Sequence, residues 1–284
     1  MSLSPVSQHL KRACLLFAFG SCSLTIFAAP NCGNTDFSGV YGMQAVGTIT
    51  AFPGLNGPFA RVGRFAADGR GNVSVANTAS YNGALVVESY SGTYRVDSDC
   101  AISIVTTVPV LFGGVSVSVP FEFAGHLAEG GSNVSALLCG VGAPCFVQPT
   151  GSVIRLQLTR YAERRDSCSS RSLTGAYQAN LSGSVISGPT PGPVAQVGRL
   201  VFDGEGAFDG STTWDYSGGI ATREPISGSY SVDAMCNVTI SYSQEGLHKW
   251  TGTITDNGDG ADLIVSESGV VVAGTLRKQT LGRN

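Results

Sequence analysis

Apolar and polar side chains alternate along most of this chain. Ile154, Leu156 and Leu158 take turns with Arg155, Gln157 and Thr159, the period of a strand with one buried and one wet face. Val272, Gly274 and Leu276 occupy the corresponding inward places farther on. Turn pairs punctuate the pattern at Asp68-Gly69, Asn82-Gly83, Gly113-Gly114, Asp203-Gly204, Gly218-Gly219 and Asn257-Gly258, and they read as hairpin turns. Ser103 to Phe123 is strongly apolar, but Pro109, Gly113-Gly114 and Pro120 break it, which makes it a hairpin and not a membrane span. No stretch after residue 29 keeps a clean helical period. The chain reads as all-β.

The alternation is organised by a duplication. Ser91-Gly92-Thr93-Tyr94-Arg95-Val96-Asp97-Ser98-Asp99-Cys100 returns as Ser227-Gly228-Ser229-Tyr230-Ser231-Val232-Asp233-Ala234-Met235-Cys236, 136 residues on. Solenoid units repeat every ~20–50 residues, so a period of this length means two copies of a domain. Phe37-Ser38-Gly39-Val40-Tyr41 likewise matches Leu173-Thr174-Gly175-Ala176-Tyr177, and Val62-Gly63-Arg64-Phe65 matches Val197-Gly198-Arg199-Leu200. We read residues 30–161 as the first domain, 162–167 as a short charged linker and 168–284 as the second domain. Each copy yields about seven or eight strands, at spacings typical of small barrels or sandwiches. The first copy carries 18 residues more after its shared Cys, 60 to the end of its last strand against 42 in the second. Such embellishments are where function tends to sit on a rigid scaffold.

The Gly-x-Tyr opening strand, the Gly-Arg-[Phe/Leu]…Asp-Gly-x-Gly hairpin and the Ser-Gly-[Thr/Ser]-Tyr-x-Val-Asp-x-x-Cys strand together resemble a class of secreted bacterial proteins of unknown function. Their strand rhythm is similar to small eight-stranded antiparallel barrels of the calycin or allene-oxide-cyclase type. The resemblance implies two tandem antiparallel eight-stranded barrels. It supplies no catalytic motif that can be carried over.

Met1 to Ala29 reads as a secretory signal peptide, with Lys11 and Arg12 before an apolar run and small Ala28-Ala29 at a cleavage point. The alternative is a lipoprotein anchored at Cys22, which the hydrophobic Leu24-Thr25-Ile26-Phe27 just beyond it disfavours. A secreted or periplasmic address follows, with no transmembrane segment in the mature chain. In that oxidising setting six cysteines remain. Cys32 and Cys100 are 68 residues apart, as are Cys168 and Cys236, and equal spacing in two copies is most simply one intradomain bridge in each. Cys139 and Cys145 flank a short loop of the first copy and suggest a local staple. The spacings of a zinc site, Cys-x2-4-Cys with nearby His, are absent.

Without the leader, fifteen basic residues face twenty acidic ones, a net charge of about −5, and Lys249 and Lys278 are the remaining lysines. Nucleic-acid binding needs many phosphate contacts from Lys and Arg, so no nucleic-acid partner is expected.

An eight-stranded barrel holds packed side chains or one small ligand. One polar pair occurs in both copies: Arg64 with Glu88, and Arg199 with Glu224. Turned inward, a guanidinium could orient a ligand carboxylate or carbonyl through two parallel hydrogen bonds. A structural ion pair is the plainer alternative. Tyr41, Tyr94, Tyr177 and Tyr230 recur, whereas Trp214-Asp215-Tyr216 and Trp250 belong to the second copy alone. These aromatics suit ligand cavities as well as cross-strand packing, which makes the second barrel the better ligand site. His126 and His248 are the only histidines after the leader, in non-equivalent positions, and no nucleophile motif accompanies them. Asp256 to Asp262 departs from the EF-hand pattern, with Gly at its third and fifth places, and reads as a turn. No metal, cofactor or catalytic residue is assigned.

The sequence thus points to an exported, non-catalytic protein binding a small apolar or amphipathic ligand, or an envelope or extracellular partner. The candidate ligand residues are Arg64, Glu88, Tyr94, Arg199, Trp214, Glu224 and Tyr230. Two alternatives stay open: a cofactor-free isomerase or cyclase using Glu88 or Glu224 in a water-poor cavity, and a structural surface protein without a ligand.

Overall fold

The structure, a computed structural model, describes residues 31–50, 55–112, 115–142, 144–145, 150–161, 167–219, 222–242 and 249–279. The expected leader with Cys22, linker residues 162–166, the Gly113-Gly114 turn and His248 lie outside the described residues.

Two closed barrels of eight antiparallel strands follow one another. The first comprises β1 (Ser38–Ile49), β2 (Gly57–Asp68), β3 (Asn72–Tyr81) and β4 (Ala84–Val96). It continues with β5 (Ala101–Phe112), β6 (Val115–Ala128), β7 (Asn133–Val141) and β8 (Ser152–Arg160), which closes on β1. The second comprises β9 (Thr174–Val185), β10 (Gly192–Asp203), β11 (Ala207–Tyr216) and β12 (Thr222–Val232). It ends with β13 (Asn237–Tyr242), β14 (Lys249–Thr255), β15 (Gly260–Val265) and β16 (Val270–Lys278), which closes on β9. Each strand pairs with its neighbours in sequence, so the turn pairs seen in the chain are the connections between them. The extra length of the first copy goes into β5 and β6, of 12 and 14 residues against 6 and 7 in β13 and β14.

The period of two sorts each strand into an apolar lining and a wetter outside. In β3, Val73, Val75 and Ala79 are buried while Asn72, Ser74 and Ala76 are exposed. Apolar inside and Ser/Thr-rich outside is the reverse of a bilayer-spanning barrel. No helix among the described residues is long and apolar enough to cross a membrane.

One end of each barrel is closed by a short 3-10 turn, Asn34–Asp36 in the first and Ser170–Ser172 in the second. The Tyr94 hydroxyl donates to the carbonyl of Phe37 at 2.6 Å, and Tyr230 repeats the bond to Leu173 at 2.8 Å. Phe37 and Leu173 thereby sit as fully buried plugs. Disulfides Cys32–Cys100 and Cys168–Cys236 pin the same segments, and Cys139–Cys145 staples the loop after β7. The first two pair as the duplication indicates, and the third as its short loop suggests.

The outer wall of β1–β2 packs against β14–β16. Ala60 and Val62 of the first barrel meet Ile264, Val271 and Ala273 of the second. The contact explains why all six residues of β15 are buried: alternate side chains face the interior of one barrel and the wall of the other.

Candidate functional site

Strand parity decides which polar groups reach the barrel interiors. In β2 the inward side chains are Phe59, Arg61 and Phe65, because these stand opposite the inward Tyr81, Ala79 and Val75 of β3. Arg64 falls on the other face. The expected Arg64–Glu88 pair is therefore not formed: Glu88 is buried inside, and its partner is Arg61, Nη2 to Oε2 at 2.8 Å. The second expected pair is absent too. Arg199 is exposed on the outer wall and donates to the Gln279 Oε1 at 3.0 Å, while Glu224 is exposed. The difference has a physical origin. Val62 and Ala66 make the face of Arg64 look like an interior, and it is apolar because another barrel covers it.

The interior of the first barrel holds a polar knot. Arg61 also donates to the hydroxyls of Tyr81 (2.6 Å) and Tyr90 (2.8 Å). Glu88 accepts from the Tyr81 hydroxyl at 2.8 Å and from Asn77 Nδ2 at 2.9 Å. The guanidinium lies 5.2 Å from the Phe59 ring centre and 5.4 Å from that of Tyr90, within cation–π range. Burial pushes the Tyr90 phenol up to about 12 against the pull of Arg61, and raises that of Tyr81 as well. Burial alone would lower the Arg61 pKa, but Tyr90, Tyr81 and Glu88 outweigh it and raise it. The knot fills its space. The cavity beside Arg61, Tyr90 and Thr106 measures about 10 Å³, room for about one water. The Glu88 carboxylate is gripped by a guanidinium, a phenol and an amide, and residue 88 also borders a groove of about 230 Å³ shared with Asn237 and Thr251 of the second barrel.

The second barrel carries different residues at the same places. Gln196 stands where Arg61 does, Thr212 where Asn77 does, and Ile226 where Tyr90 does. Gln196 and Thr212 are each 1% exposed, yet among the described residues neither the Gln196 amide oxygen or nitrogen nor the Thr212 hydroxyl has a hydrogen-bond partner. Leaving a buried polar group unsatisfied costs about 1–3 kcal/mol. Opposite Gln196 across the β10–β11 ladder stands Trp214, and its ring stacks on Tyr216 at 5.6 Å with the planes 10° apart. Tyr242 and Trp250 form an edge-on pair at 5.4 Å nearby. Burial, then the carboxylates of Glu224 and Glu267, raise the Tyr216 phenol. This end of the barrel thus joins aromatic walls, acidic groups and buried polar atoms without partners.

Tyr94 and Tyr230 are tied to the plugs at the opposite end and face no cavity among the described residues. His126 is exposed in an outer groove of about 610 Å³ over β5–β7, where the Glu122 carboxylate accepts from the Ser103 hydroxyl and the Cys145 amide. Asp256 and Asp259 lie at 3.5 Å from Arg277 and Lys278, so these carboxylates are paired with cations. Among the described residues no cluster of His, Cys, Asp and Glu could hold a metal.

Sequence reasoning missed Arg61, Gln196 and Thr212. Charges shared by the two copies point elsewhere, because these positions differ between the copies. The signal available was parity: Arg61 lies two residues from Phe59 and four from Phe65.

No family model matches the chain, and no curated protein matches it.

Proposed function

We propose that this is an exported, non-catalytic binding protein whose second barrel takes a small amphipathic ligand. The observation that carries this reading is Gln196, an amide buried opposite Trp214 with both of its polar atoms unbonded among the described residues. At the matched position the first barrel holds Arg61, ion-paired with Glu88, although Arg61 Nε and Asn77 Oδ1 also lack partners among the described residues. A ligand offering one donor and one acceptor would complete the Gln196 amide, while its apolar body lies on Trp214 and Tyr216. Few polar groups set among aromatic walls is the usual composition of a small-molecule site. The eight-strand meander supports the likeness to calycin-type barrels, and the three disulfides fit an extracytoplasmic address.

Native mass spectrometry of the protein purified from its own host tests the reading. A small-molecule adduct is expected, and it should be lost in Gln196→Leu and Trp214→Ala but kept in Arg61→Gln. The Gln196→Leu variant should also be more stable than the parent, because it deletes two orphaned polar atoms at similar volume. A bare mass for the parent protein, or an adduct that survives both second-barrel substitutions, would overturn the proposal.

A further inference from the structure

The contact between the barrels leaves a cleft at the end nearest the linker. It encloses about 170 Å³ and is lined by Val40, Arg64 and Tyr161 of the first barrel and by Met235, Cys236 and Ile254 of the second. Asn257 also lines it, and its one charged side chain among the described residues is that of Arg64. The Arg64 guanidinium is half-buried and has no hydrogen-bond or ion-pair partner among the described residues. Two carboxylates, Asp262 and Asp233, also act on the Tyr161 phenol of this cleft. Asp233 accepts from the amides of Met235 and Asn237 and from the Asn237 side chain, all at 2.8–2.9 Å, and Asp262 lies 4.0 Å from Arg277. The Tyr161 hydroxyl is bonded to Thr253, so Tyr161 offers the cleft its ring. Burial pushes that phenol up to about 12; the Thr253 bond and Arg64 pull it down, while Asp262 and Asp233 push it up.

We propose that this cleft is a second binding site, specific for a compact amphipathic anion. Its carboxylate would take the two parallel donors of Arg64, and its apolar body would lie between Val40, Met235 and Ile254. The volume is below the ~300–1,000 Å³ of drug-sized pockets, which limits the occupant to a single ring or a short chain. The matched residue on the second barrel, Arg199, faces solvent and bonds Gln279. It is the docking of a second barrel over Arg64 that turns a surface cation into a site.

The test is a benzoate titration of the intact ¹⁵N-labelled protein, followed by amide chemical shifts, with benzyl alcohol as the neutral probe of similar size. Saturable shifts at Met235, Cys236 and Asn257 are expected with benzoate. Benzyl alcohol should bind at least tenfold more weakly, Arg64→Gln should lose the benzoate response, and Arg199→Gln should keep it. Three results would overturn the proposal: equal responses to the two probes, a benzoate response surviving in Arg64→Gln, or shifts confined to Trp214 and Tyr216. The last would place the anion in the second barrel and leave the reading of that barrel standing.

Discussion

Asp262 is a buried carboxylate held in the seam at a cost. It sits on β15 facing the first barrel, 3% exposed, with its nearest cation, Arg277, at 4.0 Å and shared with Asp256 at 3.5 Å. Burial pushes its carboxyl up to about 6; Arg277 opposes the rise and Asp256 adds to it. The ordinary value of an unfolded Asp is near ~3.9, so between the two values the native state holds more protons than the unfolded one. Stability must therefore fall as pH rises from about 4 through about 6, and remain reduced above that. Asp262→Asn removes the charge and keeps the shape. At pH 7.5 it should stabilise the protein by up to about 3 kcal/mol, because each of the roughly two pH units between the unfolded and folded values is worth ~1.4 kcal/mol. At pH 4 the gain should vanish. Urea unfolding across that range checks it; a gain that is the same at both pH values would show that the carboxylate carries no such penalty.

At the scale of elements, the alternation that defines a strand also limits what can be read from it. A period of two says that a strand has two faces and not which is inside. For β3 the answer is plain, because one face is Val73, Val75 and Ala79 and the other is Ser-rich. For β2 both faces are apolar, since Ala60 and Val62 are covered by Ile264 and Val271, and for that reason the pattern around Arg64 points to the wrong side. The strand count, the turns and the disulfides were legible because each is local or doubled by the repeat. The Arg61–Glu88 knot and the orphaned Gln196 were not, because they exist only in one copy each and depend on which face of a strand turns inward. The bridges give a prediction at this scale. Cys168–Cys236 closes a loop with a sequence separation of 68, and Cys139–Cys145 one of 6. In the chain-entropy account the longer loop is worth about 4 kcal/mol and the shorter about 2. Paired Cys→Ser variants, compared by guanidinium unfolding, should show that order. A larger loss from the short loop would mean that the staple holds native structure around β6 and β7 instead of limiting the unfolded chain.

The two barrels share a packed seam. Besides the apolar seam, Gln44 Nε2 donates to the Gly274 carbonyl at 2.9 Å and the Ser80 hydroxyl to that of Val270 at 2.8 Å. The loop after β3 meets the loop before β16 backbone to backbone, with the Gly269 amide donating to the Gly83 carbonyl at 2.9 Å. Gly83 has a φ of +87°, and a Cβ there would stand 2.7 Å from the Gly269 Cα, so the approach depends on glycine. Inter-domain seams of this kind set whether domains unfold together or apart. Ile264, wholly buried on the outward face of β15, tests the coupling without touching either interior. Ile264→Asp places a carboxyl in the seam, which is relieved by protonation at low pH, as at Asp262, and at pH 8 by parting the barrels. The parent should unfold in a single calorimetric transition, and the variant in two. Both tryptophans lie in the second barrel, so their fluorescence should follow one of the variant's transitions while far-UV circular dichroism follows both. The benzoate response at Arg64 should weaken in the same variant, since the cleft needs both walls. If Ile264→Asp still melts in one step at the parent's temperature, the seam is not what joins the barrels, and the inter-barrel site loses its foundation with it.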